Sequence, residues 1–262
     1  MSRLRYISLA SGSEGNVYCL ETPEGTLVID AGLSFTEFTK RCAIAEIDMD
    51  SICGLVITHD HGDHTKGLRR FHAKYPDVPI CANALTAEVI ERTCKVSEDA
   101  FAIFENGQSF SLGPFEITPF SVPHDVVDSV GFSIRIGDET YFHATDFGAP
   151  LEAIGVRLAE ADFATLESNH DLELLMRSDR PYVLKQRIAG THGHLSNDQA
   201  AEFVAKYGSK RLKALFLAHL SRKCNEPHLV EETFDKSCWC QKDKPYVAVL
   251  AQEKILACVL KS

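Results

Sequence analysis

His59-Asp60-His61-Gly62-Asp63-His64 sets three imidazoles and the Asp63 carboxylate on one short stretch of chain. Neutral imidazole and carboxylate together suit zinc, manganese or iron. Four such side chains on a tight turn cannot comfortably reach a single tetrahedral ion. Two adjacent ions are served more easily, His59 and His61 on one and Asp63 and His64 on the other. Paired divalent ions acidify water and neutralise charge on a phosphoryl group, so the expected chemistry is hydrolysis. A histidine-rich polar turn with no function is the bland alternative. With this composition, however, HxHxDH arises by chance on the order of once per thousand such chains. Asp60 fills the variable position and is not expected to be a ligand.

Such a turn needs a rigid frame. The apolar run before it predicts a strand over Gly54–Ile57, and Leu68, Phe71 and Tyr75 recur at helical spacing, predicting a helix over Thr65–Tyr75. The first N–H groups of that helix would face the site and could hold an anion. The same ending, a polar residue after an apolar run, recurs at Asp30 (LVID), His124 (TPFSVPH), Asp146 (TYFHATD) and His219 (ALFLAH). Strand ends that meet at one edge of packed sheets are where such folds place ligands.

Further strands are expected at Leu4–Leu9, Val17–Leu20, Leu27–Ile29, Phe115–Phe120, Gly131–Ile136, Thr140–Ala144, Phe163–Leu166, Ala214–Ala218, Tyr246–Leu250 and Lys254–Val259, with a hairpin turn at Glu24-Gly25. Helices are expected near Phe35–Ala45, Leu151–Leu158, Asp171–Arg177, Asn197–Tyr207 and Pro227–Phe234. Early hairpins and later β-α alternation point to an α/β fold of mixed sheets covered by helices, read as one domain over residues 1–262. The net charge of −10 argues against a broadly basic, nucleic-acid-coating surface, though bound cations could still hold phosphate locally. Nine cysteines without CxxC spacing, Cys238 and Cys240 being the nearest pair, read as reduced thiols with no metal role. No signal peptide and no membrane-length apolar run is visible, so a cytoplasmic protein with no membrane partner is expected.

THDHGDH after an apolar strand, with LVIDAG before it, resembles the metallo-β-lactamase superfamily. That resemblance implies a four-layer αβ/βα sandwich of two mixed sheets flanked by helices, with two metal ions at one edge. By the same resemblance, His59, His61 and His124 hold one ion, and Asp63, His64 and His219 the other. Asp146 in ATDFG bridges them, and Asp30 braces the histidine turn from behind. The identity of the ions, Zn, Mn or Fe, is left open.

Three further stretches bear on the branch. Ser11, Ser13 and Asn16 lie in a small-residue loop, SGSEGN, that could approach a phosphate closely. Glu167 ends an apolar run, and Ser196 is a plausible N-cap just after His194. This arrangement resembles RNase Z-like nucleases and phosphodiesterases, which implies that His194 and Glu167 form the proton-transfer pair at the leaving group, beside Asp63. His170 could contact substrate or brace Glu167. Taken in order, SGSEGN, HDHGDH, VPHDVVDSVGF, ATDFG, ESNHD, GHLSN and LAHLS resemble the YycJ/WalJ family across nearly the whole chain. That implies a DNA exonuclease acting 5′→3′ on double-stranded DNA. The alternatives are a small-molecule phosphodiesterase or thioester hydrolase on the same metal site and, last, a non-enzymatic metal-stabilised binding module. Of the other histidines, His143 reads as core, His192 as a loop residue, and His72 and His228 as surface.

Overall fold

The computed structural model describes residues 4–237 and 245–260, so Cys238 and Cys240 lie outside the described residues. The first sheet holds β1 (Leu4–Ala10), β2 (Val17–Thr22), β3 (Gly25–Ile29), β4 (Ile52–Val56), β5 (Ile80–Asn83), β6 (Phe101–Phe104) and β14 (Leu256–Leu260), in the order β14-β1-β2-β3-β4-β5-β6. The second holds β7 (Phe110–Leu112), β8 (Phe115–Ser121), β9 (Val130–Ile136), β10 (Glu139–Ala144), β11 (Phe163–Glu167), β12 (Ala214–Ala218) and β13 (Tyr246–Val249), in the order β13-β12-β11-β10-β9-β8-β7. The helices of the described residues are α1 (Phe35–Ile44), α2 (Gly62–Thr65), α3 (Leu68–Lys74), α4 (Ala84–Cys94), α5 (Glu152–Ala159), α6 (Leu172–Arg177), α7 (Tyr182–Ile188), α8 (Asn197–Tyr207) and α9 (Pro227–Lys236).

The layering follows from strands that are apolar on both faces. Because successive strand side chains point to opposite sides, neighbours divide between two cores. Tyr6, Leu27, Tyr141, Phe163 and Phe216 face the space between the sheets. Ile7 and Val28 point the other way, against Phe38, Phe71 and Ile90 of α1, α3 and α4. Phe142, Ala164 and Leu215 meet Ile154, Phe203 and Val230 of α5, α8 and α9. Each fully buried large apolar side chain contributes about 1.5–3 kcal/mol, so both faces of both sheets stabilise the stack. This is the expected four-layer αβ/βα sandwich.

Strand direction then fixes the site. β3, β4, β5 and β6 run parallel to one another, as do β10, β11, β12 and β13. The carboxyl ends of β3 and β4 in one sheet, and of β10, β11 and β12 in the other, therefore open on a shared edge.

Three local expectations differ from the structure. The helix expected over Thr65–Tyr75 is two helices, because the Gly67 N–H bonds to Ala31 O at 2.8 Å instead of continuing the first. Helix α2 begins at Gly62 with His61 as its N-cap, so Asp63 and His64 form its first turn and do not precede it. The hairpin turn lies at Pro23-Glu24, and Gly25 already belongs to β3. Seven described cysteines are free thiols. No helix of the described residues is long and apolar enough to cross a membrane.

Candidate active site

The sheet ends deliver their polar residues through a shared backbone device. Asp30, Asp146 and His219, each just past a strand, adopt φ of 62°, 59° and 58°. Left-handed φ is uncommon for residues other than glycine and gathers at functional sites, where packing over-determines it. Here it turns three chains sharply at the strand ends, and all three side chains are buried.

The donor atoms then meet. Those of His59, His61 and His124 lie within 4.8 Å of one another, as do those of Asp63, His64 and His219, and those of His59, His64 and Asp146. These are the two sets expected, with Asp146 in contact with both. Its Oδ2 is 3.3 Å from His64 Nε2, and its Oδ1 is 3.4 Å from His219 Nε2 and 3.9 Å from His124 Nε2.

Four of the five imidazoles are aimed by what their other nitrogen does. His64 Nδ1 donates to Asp30 Oδ2 at 2.7 Å. His124 Nδ1 donates to Gly193 O at 3.2 Å, and His219 Nδ1 donates to Glu167 Oε1 at 3.1 Å. His59 Nδ1 lies 3.0 Å from the Thr58 hydroxyl. Tying Nδ1 fixes the ring and presents Nε2 as the ligand atom, an arrangement usual around metals. Asp30 also accepts from the Thr58 N–H at 2.9 Å, so one buried carboxylate locks both the strand end and His64.

The cluster fits divalent cations. His59 Nε2, His124 Nε2 and Asp146 Oδ2 are buried without a hydrogen-bond partner, and buried polar atoms without partners are costly. All three belong to the convergent donor sets. Burial holds His59 and His124 below the usual histidine range, keeping them neutral and able to ligate. Burial opposes charge on His64 and His219 as well. Yet Asp30 and Asp146 raise His64, and Asp146, Asp63 and Glu167 lift His219 to about 10. The carboxylates thus draw positive charge strongly, which a metal pair satisfies by displacing protons.

Glu167 and His194 stand beside this cluster. His194 Nδ1 donates to Glu167 Oε1 at 2.8 Å, leaving Nε2 on a ring 22% exposed. Burial alone would depress His194, but the Glu167 carboxylate raises it above the ordinary histidine value. Glu167 is fully buried and further accepts from the N–H groups of Asp146, Phe147 and Leu195. Despite the burial that would raise it, His194 and His219 bring its pKa down to about 2. His194 rises from a loop whose N–H bonds to Ile188 O at 2.8 Å.

The phosphate-holding residues expected from the small-residue loop are placed otherwise, with the exception of Ser13, which is exposed. Ser11 is buried. Its Oγ accepts from the His219 N–H at 2.8 Å and lies 3.0 Å from Tyr18 Oη, which leaves no free face for an anion. Asn16 is buried too, with Nδ2 3.0 Å from His64 Nε2 and 3.3 Å from Asp63 Oδ2. Its geometry suits bracing the ligands. His170 is fully buried with both ring nitrogens unpartnered, so a direct substrate contact does not fit its position. His143 lies in the core, His192 on an exposed loop and His228 on the surface, whereas His72 is only half-exposed.

Sequence reasoning missed Thr58, Asp125, Asn169 and the Gly193 carbonyl. Asp125 Oδ1 sits 3.5 Å from His124 Nε2, and Asn169 Nδ2 donates to His219 O at 2.8 Å. Thr58 and Asp125 adjoin ligands in the chain, which was the available signal. A backbone carbonyl carries none.

Residues 26–219 match the family model described as the beta-lactamase superfamily domain. The chain is 34% identical over 232 residues to "Exodeoxyribonuclease WalJ" of Streptococcus pneumoniae, covering 87% of this chain and 86% of that protein. It is 33% identical to "Exodeoxyribonuclease YycJ" of Bacillus anthracis over 86% of each. Among solved structures, the metallo-β-lactamase fold protein YhfI of Bacillus subtilis superposes with a TM-score of 0.71 at 16% identity, covering 97% of this chain and 99% of that one, which supports the fold alone. The chain therefore belongs to the metallo-β-lactamase superfamily, alongside the WalJ/YycJ proteins.

Proposed function

We propose that this protein is a metal-dependent phosphodiester hydrolase that removes nucleotides from the ends of DNA. The observation that carries the reading is the pairing of a convergent His/Asp donor cluster with His194, held by a buried carboxylate at its side. The names of the WalJ and YycJ relatives supply the DNA and the end-directed action.

His59, His61 and His124 would hold one ion and Asp63, His64 and His219 the other, with Asp146 between. Divalent cations held there supply Lewis acidity toward water and toward the non-bridging oxygens of a phosphodiester. The chain's own contribution is proton delivery and positioning. Glu167 keeps the Nδ1 proton of His194 engaged, so the ring presents Nε2 to the substrate side. His194, raised in pKa by that carboxylate, carries a proton at Nε2 and gives it to the departing sugar oxygen. Glu167 stays ionised throughout, because two imidazoles and three backbone N–H groups surround it. Asp30, Thr58 and Asn16 keep the histidine turn from relaxing as charge moves.

The test is incubation of end-labelled linear double-stranded DNA with the protein and Mn²⁺, beside Asp63→Ala. Stepwise loss of nucleotides from one end, absent in the variant, supports the reading and gives the polarity. No cleavage with Mn²⁺, Zn²⁺ or Fe²⁺, together with hydrolysis of a small diester or thioester, would sink it.

A further inference from the structure

Helix α7 has no buried residue. On its first turn stand Val183, 76% exposed, and Tyr182, 68% exposed, the two most exposed large apolar side chains among the described residues. A merely solvated helix face carries polar residues there instead. The helix is nonetheless fixed at the site. Its last residue, Ile188, accepts the His194 N–H, and its Arg187 pairs with Asp125, next to the ligand His124. The following loop also packs tightly on the Asp146 turn, since a Cβ on Gly148 would lie 2.1 Å from Gly190 O.

The charge of this segment runs against that of the chain. Residues 178–187 carry Arg180, Lys185 and Arg187 against Asp179, a balance of three minus one, or +2, in a protein of net −10, while Arg177 just before them is paired with Glu173. Lys185 is used to cap α6, donating to Met176 O and Ser178 O. Arg187 remains 62% exposed despite its ion pair, and Arg180 is half-buried with its Nε lacking a hydrogen-bond partner. Aromatic faces set among cations are how proteins hold unpaired nucleic-acid strands irrespective of sequence.

We propose that α7 seats the strand leading to the scissile phosphodiester, with a base stacked on Tyr182 and backbone phosphates against Arg180 and Arg187. This deepens the nuclease reading and rests on it. A second copy of this chain is a poorer occupant, because so few apolar side chains fall far short of the roughly 20–30 residues per side of a stable interface.

The experiment measures fluorescence anisotropy of a labelled single-stranded phosphorothioate oligonucleotide with the metal-loaded protein at several salt concentrations. Tyr182→Ala is expected to bind about tenfold more weakly, with Tyr182→Trp restoring affinity. Arg180→Ala combined with Arg187→Ala is expected to flatten the log affinity against log salt slope by roughly 0.7 per lost phosphate contact. Because Tyr182 is 68% exposed, unchanged thermal melting should accompany Tyr182→Ala. Wild-type affinity in Tyr182→Ala would overturn the proposal. So would a shift of that variant from dimer to monomer in sedimentation, which would make the patch a contact between copies. If the wild-type protein binds no oligonucleotide yet hydrolyses a small diester, the nucleic-acid reading itself fails and takes this inference with it.

Discussion

His194 and His219 donate to the same oxygen of one buried carboxylate, at 2.8 Å and 3.1 Å from Glu167 Oε1. The proposed proton-transfer histidine and a proposed metal-ligating histidine are thereby set by one group, and their variants should separate the two duties. His194→Ala should lower kcat by about 10²–10⁴-fold while the metal content, read by elemental analysis, stays at the wild-type value. The donor atoms of Asp146, Glu167, His194 and His219 also lie within 4.8 Å of one another. Loss of metal in His194→Ala would therefore make His194 a ligand and overturn its assignment. Glu167→Gln should slow turnover and also weaken metal binding, by about 10–100-fold.

Asp30 should act through His64. Asp30→Ala leaves the His64 Nδ1 proton and the Thr58 N–H buried without their acceptor. Breaking a buried pair of this kind costs about 3–5 kcal/mol, and loss of the outer partner weakens metal affinity by about 10–100-fold. Chemical denaturation and competitive chelation would measure the two losses. Wild-type values in both would show that the turn holds His64 without Asp30.

Gly32 lies where the β3 end meets the histidine turn. A Cβ there would fall 1.6 Å from Asp63 O and 2.5 Å from Asn16 N, both backbone atoms that cannot swing aside. Gly32→Ala must displace the turn that carries Asp63 and His64. The expected result is loss of about 1–3 kcal/mol of stability or more, together with loss of bound metal. A variant that melts and binds metal normally would contradict the fit.

His143 gives a pH signature separate from the ligands. Its ring is buried between Tyr18 and Tyr141, and burial, together with positive charge on His64 against the opposing pull of Asp146, lowers its pKa to about 3. An unfolded histidine titrates near 6.5. Between these values the unfolded chain binds the extra proton, so this contribution is fully present above about pH 6.5 and is lost as pH falls toward 3. In the chelated protein, wild type should lose up to about 1.4 kcal/mol per pH unit more than His143→Gln between pH 6 and 4. Parallel stability curves for the two proteins would refute it.

Much of this was legible because strand and ligand are adjacent in the chain. The runs ending at Asp30, His59, Asp146 and His219 mark the β3, β4, β10 and β12 ends, and parallel pairing brings those ends together. The stretch from residue 80 to 112 was not legible. Its strands β5, β6 and β7 are short, α4 begins directly from β5, and Ile103 and Leu85 are exposed, which blurs the alternation. Ser11 and Asn16 misled for another reason. Small polar residues in a glycine loop look alike whether they face an anion or hydrogen-bond a neighbouring ligand, and only the partner, His219 or His64, distinguishes the two. Helix α7 is short, and its exposed Tyr182 and Val183 sit beside the half-buried Leu184 and Ile188, so apolar residues on both sides blur the helical period and a pattern search passes over it.

The donors come from four separate places in the chain: four lie on the stretch from His59 to His64, and the others arrive only at His124, Asp146 and His219. During synthesis, strands β1 to β6 can therefore emerge with the histidine turn complete and still lack the partners that close either cation set. β12 must be made and must dock beside β11 before His219 can join. Completion of the second cation set is thus a late event in the life of the nascent chain, and a ribosome stalled before residue 219 would expose a half-built centre with a correspondingly loose hold on metal.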